Sequence, residues 1–128
     1  MREESTNWWK QSKADLSAAS VNITTHQYYV AVFLCHQAAE KALKALYIEK
    51  KRKLPPATHG LQKLGRLLSI PRHLFSALNE LNPDYIITRY PDAANGIPAE
   101  QYDEDSAKLH LAMARKVVKW AEKGLKTK

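Results

Sequence analysis

The chain has 128 residues, 45% hydrophobic and 26% charged, and carries a net charge of +7. That length buries about two thirds of the unfolded surface in one core without disulfides or metals, and the composition excludes disorder as the main state. A single cysteine, Cys35 between Leu34 and His36, rules out an internal disulfide and offers no metal-ligand spacing.

Glycine is scarce, with four in the chain, and no run alternates apolar and polar residues over a strand length. The periodic segments therefore read as helices and the fold class as all-α. The amino-terminal MREESTNWWKQ has no apolar stretch of signal-peptide length. The longest apolar run, Tyr28 to Cys35, is far short of the roughly 20 residues a membrane span needs. A soluble, cytoplasmic protein without a membrane partner is expected.

In chain order, a first helix is predicted from about Ser5 or Thr6, both good N-cap residues, to about Val21, with Trp9, Leu16 and Ala19 on one side. A longer, central helix covers about His26 to Lys51 and stops ahead of Pro55 and Pro56. The loop LPPATHG leads into a short helix, about Leu61 to Leu68, and Pro71 starts another at about Arg72 to Leu81, ended by Asn82 and Pro83. DYIITRYPDAANGIP, with two prolines and a glycine, reads as an ordered functional loop. The last helix, about Asp103 to Leu125, sets acids at its start and lysines at its end, as the macrodipole favours, with a core stripe of Leu109, Met113, Val117 and Trp120. Residues 1–128 form one domain, a bundle of about five helices.

Two basic clusters stand out, KKRK at Lys50 to Lys53, and Lys116, Lys119, Lys123, Lys126 and Lys128. They are either phosphate-attracting patches or solvated helix faces.

The central helix interrupts its apolar run with His36, Gln37, Glu40, Lys41 and Lys44. At 100° per residue these fall within an arc of about 140°, opposite a small-residue face of Ala31, Ala38, Ala42 and Ala45. His36 with Glu40, Gln37 with Lys41 and Glu40 with Lys44 stand at i, i+4. The stripe is either an exposed helix edge with mild stabilising pairs, or a partly buried polar seam that binds an anion or a second subunit. Because the rest of the helix is apolar on most of its circumference, a homodimer is expected.

The string HQAAEKALKAL, the TH-G-L-x-x-L segment at Thr58, His59, Gly60, Leu61 and Leu64, and RYPD at Arg89 to Asp92 together resemble the HEPN domain family. The resemblance extends from WWKQSKADL (Trp8 to Leu16) through the last helix. It implies an up-and-down four-helix bundle with an additional short helix, usually a homodimer. It also implies a nucleotide or RNA ligand and a minimal nucleotidyltransferase as partner in a toxin-antitoxin pair, with no cofactor and no metal.

Many proteins of that family are metal-independent ribonucleases that use an arginine and a histidine with four to six residues between them. Arg89 is the expected arginine, but the positions for the histidine hold Ala94, Asn95 and Gly96. Two literal matches elsewhere, Arg52 to His59 and Arg66 to His73, are about what chance supplies from six arginines and five histidines. Without that histidine the general acid–base part of RNA cleavage is missing, and Arg89 can only stabilise charge.

The preferred expectation is therefore a binding module without an intact ribonuclease motif. Lys41, Lys44, Arg89, Tyr90, Asp92, His36 and Glu40 are its candidate ligand residues. The alternatives are a ribonuclease toxin with a displaced histidine, for which Arg89 and His59 are the candidates, and a dimeric interaction module whose stripe only sets register. Three local readings stay open. Arg89 and Asp92 either pair with each other or meet a ligand. Tyr85, Tyr90 and Tyr102 either pack or stack on bases, and His59 either caps a helix or contacts phosphate.

Overall fold

The computed structural model describes residues 1–126; Lys128, counted above among the basic residues, lies outside them. Every regular element among the described residues is helical: α1 (Glu3–Thr24), α2 (Tyr28–Lys51), α3 (Leu61–Leu67), α4 (Arg72–Leu81), α5 (Asp84–Ile87), α6 (Pro91–Ala94) and α7 (Glu104–Lys126), with a 3-10 turn at Pro98–Glu100. No helix among them is long and apolar enough to cross a membrane.

α1 begins two residues ahead of the predicted serine cap. Arg2 takes the cap position without a side-chain bond, and its backbone N–H donates to Glu49 Oε1 at 2.7 Å. That bond joins the start of α1 to the last turn of α2, so the two run antiparallel. His26, read as the first residue of the central helix, instead takes the left-handed conformation (φ 63°) in the turn between them. α7 runs parallel to α2. Tyr28 reaches Glu104 at one end, and at the other a Cβ on Gly124 would lie 2.8 Å from Leu46 Cδ1.

The alanine face of α2 explains this close approach. Ala38 and Ala42, fully buried, pack with Leu46 against Val118 and Ala121 of α7 and beside Trp9 and Leu16 of α1. Ser12 Oγ donates to the Ala38 carbonyl at 2.6 Å inside the α1–α2 contact. The alanine face is thus covered within one chain.

α7 differs from its reading at one position of the core stripe. Leu109 is 57% exposed, and the buried face runs through Ala107, Leu111, Ala114, Val117, Val118 and Ala121. Val117 of the predicted stripe is buried and Met113 and Trp120 pack partly buried against the core, whereas close packing through Ala114, Val118 and Ala121 leaves Leu109 on the far side of the helix.

The stretch read as one ordered loop forms three short turns of helix. Pro91 and Pro98 open two of them at the first turn, where the missing N–H is not needed. Pro83 stands at the N-cap position of the other, α5. Asp103 caps α7: its Oδ1 accepts from Ser106 N–H at 2.8 Å, while Ser106 Oγ accepts from Asp103 N–H at 3.0 Å.

Candidate functional site

Of the five stripe residues, His36, Glu40 and Lys44 are buried, which makes the stripe a seam rather than an exposed edge. α1 supplies the cover. Lys44 Nζ donates to Glu40 Oε2 at 3.0 Å and lies 5.3 Å from the centroid of the Trp8 ring. Lys41 reaches Asp15 Oδ2 on α1 at 2.5 Å and Gln37 Oε1 at 3.4 Å. Both lysines therefore already face carboxylates of their own chain.

The other oxygen of Glu40 has a partner that helical spacing does not reveal. His59 Nδ1 lies 3.0 Å from Glu40 Oε1, whereas His36 Nδ1, the i, i+4 candidate, is 3.9 Å away. His36 turns its Nε2 to the backbone carbonyl of His59 at 3.1 Å. A carbonyl only accepts, so the proton sits on Nε2, and Nδ1 accepts from Gln37 Nε2 at 3.3 Å. Burial pushes the His36 imidazole down to about 4, so it is neutral at pH 7.

His59 is not a helix cap. Gly60 N–H donates to Thr58 Oγ1 at 3.0 Å and Leu61 N–H to Asn82 Oδ1 at 2.9 Å, which satisfies the start of α3 without the imidazole. The ring instead stacks on Tyr85, with centroids 4.0 Å apart and planes at 13°. Glu40, His36 and Tyr85 thus fix its Nδ1, its carbonyl and its plane. The side chain remains 52% exposed, and Nε2 is the ring nitrogen these contacts leave over.

Tyr85 also carries Arg89. The guanidinium carbon lies 4.5 Å from the Tyr85 centroid, 5.1 Å from that of Tyr90 and 5.8 Å from that of Phe33. One Arg89 amine donates to the Tyr90 hydroxyl at 2.8 Å. Asp92 does not pair with Arg89; its Oδ1 accepts from the N–H of Ala93 at 3.0 Å. Arg89 is exposed and meets no carboxylate among the described residues.

Behind this face, Asp84 ties α5 to α7. Its buried carboxyl accepts from the Tyr102 hydroxyl at 2.8 Å through Oδ1 and sets Oδ2 3.2 Å from His110 Nδ1. Burial pushes Asp84 up to about 7, against the Tyr102 bond and helped by the nearby Glu80. Burial also lowers His110.

Histidine and arginine thus share one tyrosine. Neither spacing match from the sequence does this: Arg52 closes α2 in the left-handed conformation, and Arg66 lies over Phe75. Tyr85, Trp8, Asp15, Asp84 and His110 escape a reading by motif, because each acts on a residue of another element and no local spacing marks it.

Residues 5–124 match the model of the HEPN domain. No curated protein matches the chain. Among solved structures it is similar to the crystal structure of TT1696 from Thermus thermophilus, with 30% identity, 97% of this chain and 100% of that one covered, and a TM-score of 0.87. It is also similar to the crystal structure of ST0689, an archaeal HEPN homologue, with 28% identity, 98% and 100% coverage, and a TM-score of 0.84. With the family pattern spanning nearly the whole chain and the same helical fold in both relatives, this chain belongs to the HEPN domain family.

Proposed function

We propose that this HEPN domain binds a phosphate of a nucleotide or RNA at the face formed by Arg89, Tyr90, Tyr85 and His59. The observation that supports this reading is Arg89 itself, exposed and without a carboxylate partner among the described residues, with its guanidinium among three aromatic rings. Such an arginine offers a planar pair of donors to phosphate, and Tyr90 offers a ring face to a base. His36, Glu40 and Lys44 act behind the face by holding His59, Lys41 is committed to Asp15, and Asp92 shapes the start of α6. A minimal nucleotidyltransferase partner belongs to this proposal, as does a homodimer. The exposed Ile86, Tyr90 and Ile97 of the same segment are the apolar residues available to the dimer.

Titration of a short oligoribonucleotide tests the site. Arg89→Ala is expected to weaken binding and to lower the salt slope by about one unit, and Arg89→Lys to recover the slope but not the affinity. Lys41→Ala should leave both unchanged. If all three variants bind as wild type does, the interaction-module reading replaces this one.

The Glu40–His59 pair favours one further reading, a ribonuclease with a displaced histidine. With Nδ1–H held by a carboxylate, Nε2 is available to accept the proton of a 2′-hydroxyl as its oxygen bonds to phosphorus; the P–O5′ bond breaks, the 5′-oxygen takes a proton from water, and Arg89 balances charge on the phosphate. Incubation with RNA separates the two readings: cleavage lost in His59→Ala supports catalysis, and intact RNA with retained binding supports the binding module.

A further inference from the structure

A second exposed face, on the antiparallel hairpin of α3 and α4, carries arginines without acidic partners. From Lys50 to Asn79 the sequence holds no aspartate or glutamate, and Arg66 and Arg72 of the hairpin are both exposed. Neither pairs with a carboxylate among the described residues. The acid that follows, Glu80, acts instead on Asp84 and His110. Between the two helices lies a concavity of about 400 Å³ lined by Ile70, Arg72, Phe75, Ser76 and Asn79. Gly65 brings α3 close to its floor: a Cβ there would stand 3.0 Å from Ile70 Cγ2 and 3.7 Å from Phe75 Cδ2. One turn of α3 away in neither direction but on the next residue, Arg66 sets its guanidinium carbon 5.8 Å from the Phe75 centroid.

The groove is continuous with the Arg89 face. Gln62 Nε2 donates to Asn79 Oδ1 at 3.3 Å across the hairpin, and Asn82, about one turn beyond Asn79, takes the Leu61 N–H just past His59. From Asn82 back to Phe75 is about two turns of helix, roughly 10 Å. A strand with one phosphate on Arg89 therefore reaches the groove within a few nucleotides, whereas a mononucleotide held there does not. Exposed arginines alone are ordinary solubilising residues. That role does not call for an aromatic floor between them. A single-stranded base finds a guanidinium plane at Arg66, a ring at Phe75 and amide N–H donors at Asn79, and its phosphate finds the planar fork of Arg72. An acidic peptide would meet the same charges but offers no flat group to Arg66 and Phe75.

Resting on the phosphate reading of the Arg89 face, we propose that the ligand is single-stranded RNA and that its strand runs from Arg89 onto the α3–α4 groove, where a base packs on Arg66 and Phe75 and a phosphate meets Arg72. Fluorescein-labelled decauridylate, titrated by anisotropy at several salt concentrations, is the probe. Arg66→Ala should weaken Kd about tenfold, and Arg72→Ala should lower the salt slope by about one unit. Lys10→Ala, at an exposed position of α1, should change neither. Wild-type binding in Arg66→Ala and Arg72→Ala, with binding weakened in Arg89→Ala, overturns the groove and leaves the Arg89 reading standing. The opposite pattern keeps the groove but removes the Arg89 reading, and the proposed path with it. Absence of decauridylate binding overturns both. An equal loss in Lys10→Ala overturns the groove in favour of diffuse charge, and displacement of the RNA by an equal concentration of decaglutamate does so in favour of an acidic protein partner.

Discussion

Glu40 Oε1 lies 3.0 Å from Nδ1 of His59, a residue outside its helix, while its other oxygen takes Lys44 Nζ at 3.0 Å. One buried carboxylate therefore serves two partners of different exposure. Glu40→Gln keeps the shape and removes the charge, leaving the Lys44 ammonium inside the protein without its counter-ion. A loss on the order of 3–5 kcal/mol is expected in urea unfolding. His59→Ala removes the more exposed partner and should cost about 1 kcal/mol or less. Equal losses would mean that Lys44 finds water when Glu40 is neutral.

Two buried groups set opposite pH slopes. His36 is lowered from 6.5 to about 4, so its contribution to stability is full above pH 6.5 and is lost as pH falls through 4. Asp84 is raised from 3.8 to about 7, so its contribution is full below 3.8 and is lost as pH rises through 7. Between about 4 and 6.5 the slopes oppose, and Asp84→Asn removes one of them. The variant should melt above wild type at pH 8 and lose Tm more steeply than wild type from pH 6.5 to 4. Parallel Tm profiles would show instead that ionised Asp84 is compensated by a protonated His110.

The α1–α2 contact is tight enough to reject added volume. Ala42→Leu should cost roughly 1–3 kcal/mol through overpacking against α7 and α1. Ser12→Ala, which removes the hydroxyl bonded to the Ala38 carbonyl, should cost roughly 0.5–1.5 kcal/mol. Wild-type denaturation midpoints in both variants would place the helices farther apart than these contacts require.

Leu109 and Leu111 separate the two faces of α7. Leu111→Ala should cost roughly 2–5 kcal/mol and Leu109→Ala less than about 0.5 kcal/mol. The reverse order would restore Leu109 to the core stripe read from the sequence.

The long helices are legible because period, proline stops and caps agree along α2, α4 and α7 to within a few residues. What fails on α7 is one position, Leu109, since Val117, Met113 and Trp120 of the same stripe do meet the core. Leu109 looks like core on size alone, and only the closeness permitted by Gly124 and the alanines of α2 decides against it. In the site, Arg89 and the α2 stripe stand out by residue type, yet the pairing of Glu40 with His59 does not. Residue spacing points to His36 as its partner, and the loop carrying His59 is placed by contacts with α2 and by Asn82, not by its own sequence.

The Asp84–His110 contact also bears on the order in which the molecule assembles. α1 and α2 are joined by a short turn and meet along their lengths, a local hairpin of the kind that forms early. α7 lies beyond the excursion through α3 to α6 in sequence, and wherever it is undocked, α5 lacks the imidazole that faces Asp84. The segment presenting Tyr85 and Arg89 therefore depends on α7 for its anchoring, and its amides should exchange with the opening of α7 rather than with global unfolding.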